Sequence, residues 1–483
     1  MTVTTAIDIA GLDGGTVRVP AAPVADLAAR VRGALLTDGD DGWDTAVSVW
    51  NATTASRPAL VVQPLSAADV VTAVAFARDH GLRLSVKGGG HHLAGIAVAE
   101  GGLLLDMSRM RDVEVDPAAQ LAHVGPGCLL GDVDAATQAH GLATVLGFIS
   151  QVGVAGLTLG GGLGYLTRRF GWTVDNLQQV EVVTADGAVR VTDRQHEPQL
   201  FWALRGAGAN FGVVTRFTYR LHEVGPTVYG GLIAWPYERA DEVAAVYRSL
   251  TATAPRELAA WLVLLRAPEA PFVPPAWRGR RVAGMTLCYS GDLADTAGVT
   301  APLRALGDPV VDLLAEQPYT SVQSYLDDGE PRGQAYYWKT EHLAELPEEL
   351  LSLLVDLYAE CPIPDGDIGI LHLGGALNEH ADDDGAVGNR DARYAVGFKG
   401  MWAPGGPDAD RYQDWIRGAW ERVQRFSTGA TYINFQAADE DDERIRAAYG
   451  SNLPRLLHLK AAYDPDNLFR SNRNLRPVAG AGR

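Results

Sequence analysis

Two glycine-rich segments constrain this chain of 483 residues more than any other feature of its sequence. The first spans residues 88–95 (GGGHHLAG), and the second spans residues 153–164 (GVAGLTLGGGLG); both lie beside predicted strands. Glycine has no Cβ, so the backbone N–H groups of such a segment can approach an anion closely, and phosphate is the usual anion. Tight packing of turns would explain either segment alone. Two such segments, in a chain with 54 glycines, favour a long diphosphate ligand.

The spacing of these glycines excludes the two standard phosphate loops. A P-loop needs a glycine followed by Lys-Ser or Lys-Thr, and no glycine of this chain is followed by such a pair. The dinucleotide fingerprint needs the pattern G-x-G-x-x-G. After Gly160 and Gly162 the third position is Tyr165, and after Gly162 and Gly164 it is Thr167. Neither segment is therefore a standard mononucleotide or dinucleotide loop.

The segments around the first glycine run have the pattern of alternating strands and helices. Residues 24–36 are typical of an amphipathic helix. Residues 59–64 and 82–87 predict buried strands, with a helix capped by Ser66 between them, which together form a β-α-β unit. Residues 180–192 predict a hairpin. After about residue 225 proline-rich stretches and longer alternating strands replace the glycine clusters, which indicates a second domain.

The composition excludes several classes of protein. Lys plus Arg total 41 and Asp plus Glu total 59, so the formal net charge is −18, which disfavours nucleic acid and anionic membranes as partners. Cys128, Cys288 and Cys361 form neither a zinc-type pair nor a disulfide framework. No secretory signal and no apolar stretch of about 20 residues is visible, so we expect a cytoplasmic protein without a membrane span.

Two adjacent histidines, His91 and His92, lie in the first glycine segment. Successive side chains of an extended chain point apart, so the pair cannot easily chelate one metal ion, and no metal site is expected. Two alternatives remain for this position. One is a loop histidine that is bonded to the backbone, and the other is a nucleophilic imidazole placed beside a cofactor.

Further motifs are distributed along the chain. Each is weak alone, but their combination is highly specific. They lie at residues 124–127, 131–143, 152–171, 175–177, 182–187, 201–217, 432–434 and 463–477. With the loop Lys87-Gly88-Gly89-Gly90-His91-x-x-x-Gly95, they resemble the berberine-bridge-enzyme-like oxidases, flavoproteins of the vanillyl-alcohol-oxidase superfamily. The resemblance is close over 56–225, good over 430–477 and weaker between them.

The resemblance implies an α+β fold. We expect a p-cresol-methylhydroxylase-type FAD-binding domain of two α+β subdomains at residues 1–225. A substrate-binding domain, with an antiparallel sheet flanked by helices, is expected at 226–435. Residues 436–483 are expected to form a C-terminal tail that returns to the FAD-binding domain.

The resemblance also implies FAD as cofactor, held covalently through His91, with His92 making local hydrogen bonds. The two glycine segments would bind the pyrophosphate. Many members carry a second flavin linkage from a cysteine, but the matching position here is Ile149, so a single covalent bond is expected. The residues expected to bind FAD are Lys87, Gly88, Gly89, Gly90, His91, His92, Gly95, Gly147, Ser150, Gly153, Gly156, Leu157, Gly160, Gly161, Gly162, Gly212, Val213, Asn434, Asn472 and Asn474.

The reaction implied by the family is oxidation of a small organic substrate by hydride transfer to flavin N5, with O₂ reduced to hydrogen peroxide. A base usually takes a proton as the hydride leaves. Many members carry a tyrosine base after the Y-x-N triplet, and here that position is Phe435. A second base position, on the strand that ends at Trp402, is matched by Ala395. The remaining candidates for the base are Tyr432, Tyr394, Tyr337 and His372.

Two other functions stay open on the sequence. The same fold could carry an NAD(P)H-dependent flavin reductase, or a flavoprotein cyclase of a biosynthetic pathway. The expected partners are a small-molecule substrate, which is an alcohol, sugar, amine or secondary-metabolite intermediate, and O₂. The chain is expected to be a monomer or a homodimer.

Overall fold

Strands and helices are mixed along the computed structural model, which describes residues 5–54 and 56–478. The strands are β1 (Ile7–Ala10), β2 (Thr16–Val19), β3 (Ala34–Leu36), β4 (Leu60–Gln63), β5 (Leu84–Lys87), β6 (Leu103–Asp106), β7 (Val113–Asp116), β8 (Leu121–Val124), β9 (Leu142–Ala143), β10 (Leu177–Val183), β11 (Val189–Thr192), β12 (Val213–Arg220), β13 (His222–Glu223), β14 (Thr227–Pro236), β15 (Leu258–Arg266), β16 (Arg281–Tyr289), β17 (Val311–Asp312), β18 (Ala315–Pro318), β19 (Ala335–Leu343), β20 (Asp365–His372) and β21 (Tyr394–Trp402). The α-helices are α1 (Ala21–Arg30), α2 (Trp43–Val47), α3 (Ala67–Asp79), α4 (Leu130–Gln138), α5 (Val154–Leu159), α6 (Thr167–Phe170), α7 (Pro198–Ala207), α8 (Ala240–Thr253), α9 (Thr296–Arg304), α10 (Tyr319–Gln323), α11 (Glu348–Ala359), α12 (Ala409–Val423), α13 (Asp442–Ala447) and α14 (Leu453–Tyr463).

The predicted β-α-β unit is present, with one more strand inserted into it. The first sheet has the strand order β3-β4-β6-β5, and β4 and β5 both run parallel to β6, which lies between them. Helix α3 begins after Ser66, whose hydroxyl accepts a hydrogen bond from Asp69 N and caps the helix. The first glycine segment follows β5 directly, at the carboxyl end of the parallel strands β5 and β6.

The prediction of one helix over residues 24–36 is wrong in its second half. Helix α1 ends at Arg30, and Ala34–Leu36 forms β3, antiparallel to β4. A Cβ on Gly33 would lie 1.9 Å from the carbonyl oxygen of Gln63, so the chain passes too close to β4 for a helix to continue. Sheet pairing has overridden the helical pattern of the apolar residues.

The second sheet is antiparallel and has the order β11-β10-β12-β8-β7. The predicted hairpin is β10 and β11, which turn at Asp186-Gly187. Helix α7 packs on this sheet, and the core beneath it includes Trp172, Phe217 and Tyr219. Leu456 of α14 and Leu475 lie in the same core, so the C-terminal part of the chain packs on this first half.

The third sheet has the order β17-β14-β16-β15-β20-β21-β19 among the described residues, with β18 paired to β14. Its pairs are antiparallel. Helices α8, α11 and α12 cover one face and share a large apolar core with it. The other face is turned towards the glycine segments. The predicted α+β class, with an antiparallel sheet flanked by helices, is confirmed, whereas the domain boundaries stay predictions.

In residues 5–54 and 56–478, no helix is both long enough and apolar enough to cross a bilayer.

Candidate functional site

A cavity of about 1250 Å³ lies between the two glycine segments and the uncovered face of the third sheet. Most of the residues predicted from the sequence to bind FAD line it. They are Gly88, Gly89, Gly90, His91, His92, Gly147, Gly153, Gly156, Leu157, Gly160, Gly212, Val213, Asn434 and Asn472. Residues that are far apart in the sequence therefore surround one continuous space.

The two glycine segments touch each other backbone to backbone. A Cβ on Gly89 would lie 2.4 Å from Gly153 N, and a Cβ on Gly153 would lie 2.2 Å from Gly89 N. These two glycines are thus required by the contact between the loops. Gly156 differs, because a Cβ there would meet no atom within 4 Å. It lines open space in the cavity, as a residue that leaves room for a ligand would do.

His91 stands at the edge of this cavity in a stack of rings. Its imidazole lies 4.3 Å from the ring of Trp50, at an interplanar angle of 17°. On its other side Trp50 stacks on Tyr336 of β19, at 3.7 Å. Trp50 Nε1 also donates a hydrogen bond to the carbonyl oxygen of Glu330, at 2.9 Å. The orientation of the imidazole is therefore set by partners from both halves of the molecule.

The imidazole of His91 is neutral and has a free nitrogen. Burial, with a smaller contribution from the cation of Arg332, lowers the pKa of His91 to about 3. Its Nε2 is buried and has no hydrogen-bond partner among the described residues. A buried polar atom without a partner is uncommon and calls for an explanation. A neutral imidazole with an unused nitrogen has the chemistry of a nucleophile.

His92 behaves as the local hydrogen-bonding residue that was expected. Its Nδ1 accepts a hydrogen bond from Ala94 N, at 3.0 Å, and so holds the turn of the loop. Burial, with Arg473 nearby, lowers the pKa of His92 to about 3. Both histidines of the pair are thus neutral near pH 7.

The other predicted cofactor residues do not line the cavity but hold the segments that do. Lys87 forms an ion pair with Asp106, at 3.3 Å, and both side chains are buried. Ser150 donates two hydrogen bonds to the carboxylate of Asp327, one from its hydroxyl group and one from its backbone N–H. Gly95 packs on Thr54, and Gly162 packs on Thr173. Gly161 and Asn474 also lie outside the lining.

Of the four candidate bases, only Tyr432 lines the cavity. Its Oη accepts hydrogen bonds from Gly162 N and from Asn434 Nδ2, both at 2.8 Å. Burial raises the pKa of Tyr432 well above its ordinary value, so it stays protonated. These contacts tie the Y-x-N triplet to the second glycine segment.

Tyr337, Tyr394 and His372 lie on the helix-covered side of the third sheet or at its end. Tyr337 Oη donates to Asp439, at 2.7 Å, and receives a hydrogen bond from Arg417 of α12. His372 stacks on Tyr394 and is bound through Nε2 by Arg168, at 2.7 Å. Burial lowers the pKa of His372 to about 2. The structure places none of these three side chains in the cavity lining.

Ile149 and Phe435 occupy the positions where the resemblance would place a cysteine and a tyrosine, and both line the cavity. Trp338 Nε1 donates to the carbonyl oxygen of Phe435, at 2.8 Å, which fixes that segment against β19. Ala395 lies on the cavity side of β21, two residues before Gly397.

A polar cluster in the cavity was missed by the sequence reasoning. Lys399 of β21 lies between Asp367, at 3.0 Å, and Glu330, with which it also forms a hydrogen bond. Burial alone would lower the pKa of Lys399, but the carboxylates of Asp367 and Glu330 raise it well above its ordinary value. Only the alternation of GFKGM in β21 could have indicated that Lys399 shares a face with Gly397.

In the described part of the chain, one group of side chains has the spacing of cation ligands. Asp175, His380 and Asp384 each offer a ligand atom, within 4.8 Å of one another. Arg390 already binds Asp175 through both of its terminal nitrogens, and Arg194 binds Asp384. The group is therefore part of an ion-pair network.

Comparison with known proteins gives the family directly. Residues 58–193 match the model of an FAD binding domain, and residues 431–476 match the model described as berberine and berberine like. An FAD-linked oxidoreductase from Dictyostelium discoideum is 30% identical over 433 residues, which cover 89% of this chain and 91% of the relative. The chain belongs to the berberine-bridge-enzyme-like FAD-linked oxidoreductases.

Other relatives agree with this assignment. The (R)-6-hydroxynicotine oxidase of Paenarthrobacter nicotinovorans is 30% identical over 465 residues, 92% of this chain and 97% of that protein. The crystal structure of 6-hydroxy-D-nicotine oxidase from Arthrobacter nicotinovorans superposes with a TM-score of 0.81 at 26% identity, and covers 93% of this chain and 98% of that one. The FAD-binding part is accordingly of the p-cresol-methylhydroxylase type, and the protein is an FAD-linked oxidoreductase.

Proposed function

We propose that this oxidoreductase is an oxidase that carries FAD through one covalent bond from His91. In this proposal it oxidises a small organic molecule and passes the electrons to O₂, which leaves as hydrogen peroxide. The observation that carries the proposal is the state of His91, which is neutral, stacked on Trp50, at the edge of the cavity, with Nε2 unpartnered.

The residues around the cavity fit FAD. Gly156 leaves open space, and the side-chain oxygen of Asn472 is buried without a partner at the cavity wall. The cavity is larger than the roughly 300–1,000 Å³ of a typical small-ligand pocket, and it leaves room for a cofactor and a substrate together. Bound FAD would supply the two-electron acceptor that protein side chains lack.

The protein's own part in the reaction is to bind, orient and exclude water. Apolar side chains such as Phe148, Ile149 and Trp261 line the cavity and keep water from the reacting groups. Tyr432 is held as a protonated hydrogen-bonding residue. The charged cluster of Lys399, Asp367 and Glu330 lines this space, whereas Tyr337, Tyr394 and His372 do not, so we place proton transfer at the cluster.

The same geometry supports the proposal of a single covalent bond. Ile149 lines the cavity where the family's second attachment would come from a cysteine, and its side chain has no nucleophile. Cys128 is buried, and burial raises its pKa to about 12, so its thiol stays protonated.

The attachment is tested by acid precipitation of the purified holoprotein. We expect a yellow pellet from the wild type and a colourless pellet with yellow supernatant from His91→Ala. The matched control is His92→Asn, whose amide oxygen can still accept the hydrogen bond from Ala94 N. A yellow pellet from His91→Ala, or a colourless one from His92→Asn alone, would contradict attachment at His91.

The oxidase activity is tested separately with a panel of alcohols, amines and sugars under air. Peroxide should form with at least one of them and disappear when O₂ is removed. Bleaching of the flavin by NADPH, with no peroxide from the panel, would favour the reductase alternative instead.

A further inference from the structure

Two glycines face each other across adjacent strands on the cavity side of the third sheet. Gly369 of β20 pairs directly with Gly397 of β21. Thr340 of β19 is the next neighbour on one side of this row, and Val263 of β15 is the next on the other. All four residues line the cavity.

Among the described residues, no atom fills the space above this glycine pair. A Cβ on Gly369 would come no closer than 3.9 Å to another atom, the carbonyl oxygen of Leu262. A Cβ on Gly397 would come no closer than 3.5 Å, to Thr340. Glycine in a strand interior costs stability because it loses more conformational freedom and has no side chain to pack.

A second glycine pair in the same two strands gives the opposite result. Gly366 pairs with Gly400 on the helix-covered face. There a Cβ on Gly366 would lie 2.8 Å from the side chain of Ile363, and a Cβ on Gly400 would lie 2.9 Å from it. Side chains of the protein explain that pair. The pair at Gly369 and Gly397 has no such explanation in the described part of the chain, and the space above it is open to a ligand.

The next row of the sheet supplies a polar edge beside the glycine pair. Asp367 and Lys399 face each other in the register position adjacent to Gly369 and Gly397 on the same face. The Lys399 side chain is 25% exposed and the Asp367 side chain is 29% exposed, whereas Glu330 is only 8% exposed. Of the two carboxylates that contact the Lys399 ammonium, that of Asp367 is the more exposed, so Asp367 offers a hydrogen-bond acceptor to the cavity.

Building on the proposed oxidase function, we propose that the glycine pair binds a planar ring of the substrate and that Asp367, beside Lys399, accepts a hydrogen bond from a donor at the edge of that ring. Directly opposed residues of an antiparallel pair lie about 4.5–5.5 Å apart, so two bare Cα positions form a flat patch as wide as one ring. A flat group can contact both strands, whereas a puckered one would be held away by its axial hydrogens. The substrate class is therefore a planar cyclic compound that carries a hydroxyl or amino group.

Binding is tested without turnover, by ligand-observed NMR titration of the holoprotein under nitrogen. The probes are benzyl alcohol, cyclohexylmethanol and benzyl methyl ether. The first two differ in the planarity of the ring, and the first and third differ in the donor. We expect benzyl alcohol to bind roughly fivefold more tightly than either of the other two.

Substitutions then place the ring on the glycine pair. The substitutions Gly369→Val and Gly397→Val fill the open space. Each should lower the affinity for benzyl alcohol by about tenfold or more. Gly418→Val is the matched control, because this exposed glycine of α12 also has open space around its Cβ but lies outside the cavity lining. Asp367→Asn should narrow the preference for benzyl alcohol over benzyl methyl ether and leave the preference for a planar ring.

Three outcomes would overturn the assignment. Equal affinities for benzyl alcohol and cyclohexylmethanol would contradict a preference for a planar ring. Unchanged affinity in both valine variants would show that the glycine pair is not the binding site. A loss of flavin from Gly369→Val or Gly397→Val would show that the cofactor, and not the substrate, occupies the space above the glycine pair. Because binding is measured without O₂ and therefore without repeated turnover, a failure of the oxidase proposal shows as absent peroxide and leaves these binding results standing.

Discussion

At the scale of single residues, the orientation and the neutral form of the His91 imidazole depend on Trp50, a neighbour that takes no direct part in the proposed attachment of FAD. Trp50 stacks on the imidazole, and Tyr336 supports Trp50 from the far side. Arg332 donates to the carbonyl oxygen of Gly89, so its cation also lies beside the loop. These contacts keep the imidazole desolvated, neutral and fixed in one plane.

Replacing Trp50 should therefore slow covalent attachment of FAD without removing the nucleophile. We expect Trp50→Leu to lower the rate of covalent incorporation into flavin-free protein by about tenfold, as loss of an orienting partner does at metal sites. Trp50→Phe keeps a flat ring and should retain most of the rate. The measurement is the covalently bound flavin fraction against time after FAD addition.

A control separates this effect from general damage to the core. Trp43 is buried, and no stacking with His91 is observed among the described residues. Trp43→Leu should lower the unfolding temperature at least as much as Trp50→Leu while leaving the rate of attachment near that of the wild type. Equal rates in Trp50→Leu and Trp43→Leu would refute a positioning role for Trp50.

At the scale of elements, the two glycine segments combine a packing role and a ligand role. Gly89 and Gly153 are needed because the loops touch, and Gly156 lines open space in the cavity. A glycine count cannot separate the two roles, since both need a missing Cβ.

Alanine at Gly153 and at Gly156 should have opposite effects. The φ of Gly153 is −77°, so the backbone would accept alanine, but the new methyl group would collide with Gly89 N. We expect Gly153→Ala to lower the free energy of unfolding by about 1–3 kcal/mol. Gly156→Ala lies in α5, where alanine favours the helix by about 1 kcal/mol, so stability should be kept while the flavin content falls.

The measurements are the thermal unfolding midpoint and the ratio of flavin to protein absorbance in each purified variant. If Gly153→Ala and Gly156→Ala change both quantities in the same direction, the division of roles between the two glycines is incorrect.

The sequence predicted the elements better than it predicted which of their faces meet. The strand–helix–strand order and both glycine segments followed from local pattern. Alternation along β19 gives two faces, but only the position of α12 decides that Tyr337 is covered by a helix and Trp338 lines the cavity. The cluster of Glu330, Asp367 and Lys399 comes from one loop and two strands, and its formation depends on long-range pairing.

At the scale of the whole molecule, buried side chains fix the glycine segments relative to the third sheet. Arg168 of α6 donates to the carbonyl oxygens of Leu258 and Leu373, at 2.8 and 2.6 Å. Tyr165 stacks on Trp261, at 4.4 Å, and Trp261 lines the cavity. The cavity therefore has walls from both halves of the chain that are held in one arrangement.

Asp134 also connects the two halves of the chain, and its buried environment is unfavourable for a charged carboxylate. It lies on α4, and its Oδ2 accepts a hydrogen bond from Gln323 of α10, at 3.1 Å. Its Oδ1 is buried without a partner among the described residues, as is Tyr319 Oη. Burial raises the pKa of Asp134 to about 7, and the hydrogen bond from Gln323 opposes the shift only in part.

The raised pKa gives a definite sign to the effect of pH on stability. The folded state binds the proton of Asp134 more tightly than the unfolded state, whose pKa is about 3.8. The contribution of Asp134 is full below that value, is lost as pH rises to about 7, and stays constant above it. Across this window the loss is about 1.4 kcal/mol for each pH unit.

Asp134→Asn removes the ionisation and keeps a group that can bond to Gln323. The unfolding temperature of the variant minus that of the wild type should be near zero at pH 4, become more positive up to about pH 7, and level off above it. Because the difference is taken at each pH, titration of the buried histidines cancels. Asp26→Asn, an exposed carboxylate on α1, serves as control and should give a small difference without pH dependence. A difference for Asp134→Asn that is flat with pH, or a variant less stable than the wild type at pH 8, would show that Asp134 is not held as a buried acid between the two halves of the molecule.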